Sequence, residues 1–248
     1  MLTLFRSLAF AVLANLWTWS LVVLYLPLLA LPRLQLQWWA AQWCRGIVWL
    51  ARVVCGIRYR VVGRENLPPG PVLLAAKHQS AYDGVIFHLL LDDPVFVLKR
   101  ELLQIPMFGL YLKAMGNIGI DRSAGVRALR TMLPAVAARL SAGSQVIVFP
   151  EGTRVAPGVQ VPYQPGVAAL YQRIDVPMIP VALNSGVRWG RRSLRKRPGL
   201  ITIEFLPAMP RGLARDAFLK ELATRIDDAT RRLCANDDPP LPTVPTPD

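Results

Sequence analysis

The sequence predicts an α/β domain, a mostly parallel sheet flanked by helices, preceded by an N-terminal hydrophobic helical membrane anchor. Hydrophobic residues make up 53% of the 248 residues and charged residues only 18%, which excludes disorder for the chain as a whole. The apolar excess is concentrated at the start, where no charged residue lies between Arg6 and Arg33. From Tyr59 onward, short apolar runs alternate with longer helical stretches, which favours a layered α/β domain. We therefore divide the chain into an anchor at 1–57, a domain at 58–235 and a Pro-rich tail, expected to be disordered, at 236–248.

The uncharged stretch is longer than the ~20 residues that a membrane-spanning helix needs. A cleaved signal peptide is the alternative, but one arginine is a thin positively charged region and the apolar run exceeds the usual length. Pro27 and Pro32 are expected to kink or end the helix. Several arginines and no acidic residue follow before Glu65, so the positive-inside rule places the domain on the cytoplasmic side of the inner membrane. A spanning helix and a two-helix hairpin in one leaflet both fit.

The segment Leu34–Val54 mixes tryptophans with Arg45 and Arg52. Tryptophan favours the headgroup boundary and arginine can reach phosphates, so this segment is interpreted as interfacial. The alternative is a buried, Trp-rich core helix.

The elements of the domain follow from the apolar periodicity. We predict strands at Tyr59–Val62, Val72–Ala76, Val95–Leu98, Ile118–Ile120, Val146–Phe149, Met178–Leu183 and Leu200–Leu206. We predict helices at Asp83–Leu91, Pro106–Ala114, Val126–Ser141, Pro165–Arg173 and Ala214–Leu233. Functional groups are then expected at the carboxyl ends of the strands.

Charge and cysteine content limit the function classes. Lysine and arginine exceed aspartate and glutamate by 29 to 16, a net charge of +13, which favours a phospholipid surface, nucleic acid or a phosphorylated substrate. Three cysteines without CxxC spacing and two histidines argue against a disulfide framework and against a metal site.

The first candidate site follows the strand Val72–Ala76, where His78 and Asp83 are five positions apart. Across a strand-to-helix corner, Asp83 can accept a hydrogen bond from Nδ1 of His78 and leave Nε2 free as a general base. The alternative is a helix cap formed by Ser80 or Asp83 with an uninvolved histidine. His88 lies in an apolar helical stretch and is interpreted as a core or surface residue.

The second candidate site is the run Phe149–Arg154, in which a buried strand turns sharply and presents Glu151, Gly152, Thr153 and Arg154. Arginine can bind a phosphate with two hydrogen bonds, aided by the threonine hydroxyl and turn amides. The alternative is a turn closed by a Glu151–Arg154 pair.

Two further cations follow neighbouring strands. Arg122 comes after the short strand Ile118–Ile120, and Lys99 follows Val95–Leu98. For Arg122 the alternative is a surface pair with Asp121. The run Arg188–Arg197 carries six cations and no acid. It is interpreted as a loop on anionic headgroups, with docking of acyl carrier protein or of the phosphates of CoA, or a plain solvated loop, as alternatives.

Together these motifs resemble, in order and spacing, the four motifs of the glycerolipid acyltransferase family: HQSAYD, GNIGIDR, FPEGTR and VPMIPVALNSG. The resemblance covers roughly residues 60–210 and is greatest to the 1-acyl-sn-glycerol-3-phosphate acyltransferase type. Lys77 stands where many members have asparagine, Gly119 replaces a bulky residue, and Val155 replaces a frequent serine.

The resemblance implies acyl transfer from acyl-CoA or acyl carrier protein to the sn-2 hydroxyl of lysophosphatidic acid, giving phosphatidic acid without a cofactor. His78, oriented by Asp83, would be the base, and the FPEGTR residues with Arg122 and Lys99 would hold the phosphate. Glycerol 3-phosphate or a lyso-aminolipid as acceptor stays open.

Two other classes are weighed against this. A thioesterase or lipase would use Ser80 as nucleophile, but no GxSxG elbow is present. A non-enzymatic basic protein of the membrane surface or of nucleic acid fits the charge, but no nucleic-acid motif is present in the sequence, and nucleic acid is not expected as a partner.

Overall fold

The structure, a computed structural model, describes residues 1–235 except for the side chains at positions 123 and 126. The predicted tail at 236–248 lies outside the described residues. The strands are Ile57–Val62 (β1), Val72–Ala76 (β2), Pro94–Lys99 (β3), Ile118–Ile120 (β4), Gln145–Val148 (β5), Met178–Leu183 (β6) and Gly199–Phe205 (β7). They form one sheet in the order β1-β7-β6-β2-β5-β3-β4. All neighbours are parallel except β6 and β7, so the mostly parallel sheet is confirmed, with β1 and β7 running opposite to the other five strands.

The central strands are β2, β5 and β6, and all of their residues are buried. A strand covered on both faces needs a continuous apolar run rather than an alternating one, and these three sequences have that pattern. The edge strand β1 is mostly exposed. No strand end differs by more than two residues from its predicted position.

Helices cover both faces of the sheet. They are Tyr82–Leu90 (α3), Phe108–Ala114 (α4), Val126–Ser141 (α5), Pro165–Arg173 (α6), Ser185–Arg188 (α7) and Arg215–Ala235 (α8). The helix predicted from Pro106 begins at Phe108 instead, because Met107 has φ +59°, which lies outside the right-handed helical region. A 3₁₀ helix at Arg100–Gln104 and the short α7 were not predicted.

The amino-terminal region is a pair of helices, α1 (Leu2–Leu24) and α2 (Arg33–Cys55). A 3₁₀ turn at Leu26–Ala30, which includes Pro27, joins them. By length and composition, α1 is apolar enough to cross a membrane, with a mean hydropathy of 1.8. In α2, Trp38 and Trp49 are exposed while the other tryptophans are partly buried. The interfacial interpretation of this segment stays a prediction.

These two helices pack onto the sheet rather than standing apart from it. Phe10 and Ala51 belong to the same buried cluster as Ile57 and Val72. A polar clamp adds to this contact, because Arg33 makes paired hydrogen bonds of 2.6 and 2.5 Å to Asp93. Gln37 and Ser144 complete the hydrogen bonds of that carboxylate. The predicted boundary after residue 57 therefore separates two segments that share one hydrophobic core.

Candidate active site

The candidate residues gather at one edge of the sheet, as predicted. The carboxyl ends of β2, β5 and β6 lie side by side because these strands are parallel neighbours. They are followed by His78, Glu151 and Ser185, respectively. The carboxyl ends of parallel strands are where open α/β sheets bind their ligands.

His78 and Asp83 meet across the corner between β2 and α3. Nδ1 of His78 lies 2.9 Å from Oδ2 of Asp83, and Asp83 is fully buried. The side chain of His78 is 16% exposed, so one edge of its ring is open to the site. The ring also stacks on Phe149, with centroids 3.8 Å apart and an interplanar angle of 15°.

The surroundings of Asp83 fix the imidazole tautomer. Its Oδ2 accepts hydrogen bonds from the amides of Gln79 and Ser80, at 2.7 and 2.8 Å, and its Oδ1 accepts one from the hydroxyl of Ser185. Since this carboxylate acts only as an acceptor, the imidazole proton belongs on Nδ1. In the neutral imidazole, Nε2 is then the nitrogen without a proton, and it can accept one.

Ser80 does not present a nucleophile. It is fully buried, and its hydroxyl oxygen accepts a hydrogen bond from the amide of Tyr82. This local contact accounts for the serine without hydrolytic chemistry.

Glu151 lies behind His78 rather than in the open site. One of its carboxylate oxygens accepts a 2.8 Å hydrogen bond from the backbone amide of His78, and the other lies 2.7 Å from Nζ of Lys77. Burial raises the pKa of Glu151 to about 7, although Lys77 lowers it. Glu151 is buried and does not line the cavity. Its carboxylate faces Lys77 and not Arg154, so it does not form the alternative Glu151–Arg154 pair.

Arg122, Thr153 and Arg154 line the same cavity as His78. Arg122 donates a hydrogen bond to the backbone carbonyl of Gly152, which holds the β4 and β5 loops together. Gly152 has φ +69°, a left-handed conformation that glycine adopts without strain. Lys99 also lines the cavity, where it pairs with Glu101 at 2.9 Å.

The cavity has a volume of about 560 Å³ and a polar end and an apolar end. Its apolar wall comes largely from the amino-terminal helices and α4, including Leu21, Val22 and Leu36. His88 also lines it, but burial lowers the pKa of His88 to about 4. A neutral, buried His88 fits the interpretation of a core residue.

The basic run 188–197 contributes to the rim of the cavity. Arg191 and Arg192 line it, and Arg191 donates a 2.8 Å hydrogen bond to the backbone carbonyl of Arg154. Lys196, in contrast, is buried, with its ammonium 5.1 Å from the ring centroid of Trp189. Its backbone amide donates to the hydroxyl of Ser7, which fastens this loop to α1.

Comparison with known proteins identifies the family. The model of the family described as Acyltransferase matches residues 58–184. A 1-acyl-sn-glycerol-3-phosphate acyltransferase of Pseudomonas aeruginosa is 33% identical over 231 residues, which cover 89% of this chain and 90% of that protein. This chain belongs to the acyltransferase family.

Two further comparisons are with a mouse protein and with a solved structure. The mouse 1-acyl-sn-glycerol-3-phosphate acyltransferase alpha is 33% identical over 63% of this acyltransferase, and the match spans 56% of the mouse protein. The crystal structure of the 1-acyl-sn-glycerophosphate acyltransferase PlsC from Thermotoga maritima matches with a TM-score of 0.72 at 20% identity. It covers 94% of this chain and 98% of that one, which shows a shared fold.

Sequence reasoning missed several residues of this acyltransferase site. Ser185 lies within the fourth motif, just after the end of β6, so its place at a strand end could have indicated its contact with Asp83. The contact between Lys77 and Asp227, at 2.8 Å, joins residues 150 positions apart. No local pattern predicts that pairing.

Proposed function

We propose that this acyltransferase moves an acyl chain from a thioester of CoA or acyl carrier protein to the sn-2 hydroxyl of 1-acyl-sn-glycerol 3-phosphate. The observation that carries the proposal is that His78, hydrogen-bonded to the buried Asp83, lines one cavity with the cations Arg122 and Arg154. A base and a phosphate-binding group on one cavity suit an acceptor with both a hydroxyl and a phosphate. The printed names of the Pseudomonas and mouse relatives give the same activity for those proteins.

The chemistry follows from the free Nε2 of His78. Nε2 takes the proton of the acceptor hydroxyl while the hydroxyl oxygen attacks the thioester carbonyl carbon. The tetrahedral intermediate collapses, the carbon–sulfur bond breaks, and the thiolate leaves. The imidazolium then returns its proton to the thiolate, so the ester and the free thiol are formed and His78 is regenerated. Asp83 stabilises the imidazolium and holds the ring in place.

The rest of the cavity suits the lipid parts of the substrates. Arg154, with Thr153 and Arg122, offers a charged site for the phosphate. The apolar wall around Leu21 and Val22 can cover an acyl chain, whose burial stabilises binding by about 0.8 kcal/mol per methylene. We assign Glu151 to positioning of His78 and not to substrate.

Membrane attachment fits the same function. The exposed apolar face of α1 and the cations of 188–197 lie on one body with the cavity, since Lys196 and Ser7 join them. We propose that α1 enters the cytoplasmic leaflet of the inner membrane, and that Arg192 and Arg195 approach anionic headgroups. Each cation near such a surface contributes about 1 kcal/mol at low salt.

An acceptor panel tests the proposal. Purified enzyme is given lysophosphatidic acid, glycerol 3-phosphate or a lyso-aminolipid, each with acyl-CoA and with acyl carrier protein, and products are measured by mass spectrometry. We expect phosphatidic acid from lysophosphatidic acid with the highest kcat/KM. Preferred turnover of another acceptor would reassign the substrate, and free fatty acid as the only product would indicate a hydrolase.

A further inference from the structure

Outside the open site lies a buried lysine that the reaction itself does not use. Lys77 is only 4% exposed, and its ammonium contacts two carboxylates, Glu151 at 2.7 Å and Asp227 at 2.8 Å. Burial disfavours the charged ammonium, yet these carboxylates raise the pKa of Lys77 above its ordinary value. A buried ammonium requires such partners.

The contacts of Lys77 connect the last helix to the catalytic loop. Asp227 lies on α8, and it also accepts a 3.2 Å hydrogen bond from the hydroxyl of Tyr163. Lys77 lies between Asp227 and Glu151, and Glu151 accepts the hydrogen bond of the His78 amide. A chain of three polar contacts therefore runs from α8 to the backbone of the base.

We propose that Lys77 and Asp227 are positioning residues, which hold Glu151 against the His78 amide and thereby fix the catalytic imidazole from helix α8. The inference rests on the proposed role of His78 as the base. It goes beyond that role, because it assigns a catalytic effect to a helix outside the cavity and to a residue, Asp227, outside the four motifs. Neither Lys77 nor Asp227 lines the cavity.

The geometry explains why this contact affects the reaction. The ring of His78 is held by Asp83 at Nδ1 and by Phe149 against its face, and the backbone amide of His78 is held by Glu151. Of these three contacts, only that of Glu151 acts on the backbone from which the side chain projects, where the amide of Val155 also donates a 2.8 Å hydrogen bond to the His78 carbonyl. A misplacement of about 1 Å at a reacting group can cost up to 10²-fold in rate, so loss of this contact is expected to lower kcat.

The primary test compares two neighbouring aspartates of α8. Asp227→Asn keeps the size of the side chain but removes the charge that holds Lys77. Asp228→Asn is the matched control, because Asp228 pairs with Arg231 in an exposed contact of 3.0 Å. We expect Asp227→Asn to lower kcat about tenfold or more, with less than about a twofold change in either KM, and Asp228→Asn to resemble the unaltered enzyme.

A second variant is tested by its pH profile, which would not change if Lys77 only joined α8 to the rest of the structure. In Lys77→Met, Glu151 loses the cation that lowers its pKa while Asp227, which raises it, stays. The other groups facing Glu151 are Tyr163 and the His78 amide. Glu151 then binds a proton at a higher pH than in the unaltered enzyme. We expect the acidic limb of the kcat/KM profile to move to higher pH, and Lys77→Arg to restore it in part.

Hydrogen exchange separates failure of this inference from failure of the proposed function. If the unaltered enzyme transfers no acyl chain, the proposed function is wrong. Faster amide exchange at residues 77–83 in Asp227→Asn, but not in Asp228→Asn, would still support the contact between α8 and the His78 loop. Unchanged kcat and pH profile in folded Asp227→Asn and Lys77→Met would overturn the inference, even with a lowered melting temperature. So would a rise in KM without a fall in kcat.

Discussion

His78 is the residue whose loss should be most costly to turnover. Replacing it with alanine removes the general base, and we expect kcat to fall about 10²–10⁴-fold. Asp83→Asn should also lower kcat strongly, because an amide cannot accept all the hydrogen bonds that this carboxylate accepts. Steady-state kinetics in detergent would measure both effects.

The control for that prediction is the second histidine. His88 is buried, its pKa is lowered to about 4 by burial, and it is therefore neutral throughout the assay range. We expect His88→Gln to keep kcat within a few-fold. Equal losses in His78→Ala and His88→Gln would show that the base has been assigned to the wrong residue.

Arg154 tests phosphate recognition. It is exposed and lines the cavity, whereas Glu151 faces the other way. A hydrogen bond to a charged group contributes about 1.5–3 kcal/mol, and lysine keeps the charge but loses the planar fork. Arg154→Lys should raise KM for lysophosphatidic acid about tenfold and leave KM for the acyl donor nearly unchanged.

A matched variant for Arg154→Lys is Arg215→Lys, at the exposed start of α8 and away from the cavity. It should alter neither KM. An unchanged acceptor KM in folded Arg154→Lys would contradict the phosphate-binding role, and a parallel rise in both KM values would indicate a general effect on the loop.

The placement of individual candidate residues was predictable where their motif directly follows a strand. His78, Asp83, Thr153 and Arg154 all lie in short motifs of this kind, so their positions in the sequence were sufficient to place them at one edge of the sheet. Their roles in the reaction stay predictions. The inward turn of Glu151 was not predictable, because it depends on Lys77 and on the distant Asp227. A carboxylate beside a Gly-Thr-Arg sequence gives no local sign of the direction in which it points.

At the scale of elements, the polar clamp between α2 and the domain depends on one ion pair, Arg33–Asp93, which a single substitution can break. Asp93 accepts both guanidinium hydrogen bonds of Arg33, and their side chains are 11% and 21% exposed. Asp93→Asn leaves the guanidinium without its charge partner, and breaking such a pair costs about 3 kcal/mol. For a chain of this length that corresponds to a fall of roughly 6–12 °C in Tm.

The control for Asp93→Asn is Asp175→Asn, which breaks the exposed ion pair with Arg211 and should lower the free energy of unfolding by no more than ~1 kcal/mol.

Burial alone would raise the pKa of Asp93, but its contacts with Arg33, Ser144 and Gln37 lower this pKa. Its stabilising effect is therefore present at neutral pH and is lost as the pH falls through the lowered folded-state pKa. The difference in Tm between the unaltered enzyme and Asp93→Asn should shrink in acid; equal Tm values at pH 7 would contradict the clamp.

Strands and helices were predictable where the apolar pattern of the sequence is the dominant signal. The buried strands β2, β5 and β6 are continuous apolar runs between turn residues, and their positions follow from that alone. The 3₁₀ helix at Arg100–Gln104 and the short α7 have no period long enough to detect. The reversed direction of β1 and β7 depends on the connections between strands, which apolar patterning does not encode.

For the whole molecule, the amino-terminal helices serve as part of the core, as a wall of the cavity and, in our proposal, as the membrane contact. Deleting residues 1–57 would remove Phe10 and Ala51 from the buried cluster together with the cavity wall, so aggregation would obscure any effect on membrane binding. A test of the anchor therefore has to change only the outer face of α1.

Leu8, Val12 and Leu16 form that face, because they recur at helical spacing and are 46%, 60% and 61% exposed. Replacing all three with glutamine removes about 1 kcal/mol or more of apolar transfer energy per residue, so vesicle binding should weaken by roughly a hundredfold. Turnover of long-chain lysophosphatidic acid in anionic vesicles should fall with it, while turnover of a short-chain, water-soluble acceptor should be retained. Val62→Gln, an exposed change at the end of β1, serves as the control. Equal losses on both acceptors with an unchanged Tm would contradict substrate presentation by α1, because membrane contact has no bearing on a substrate that arrives from water.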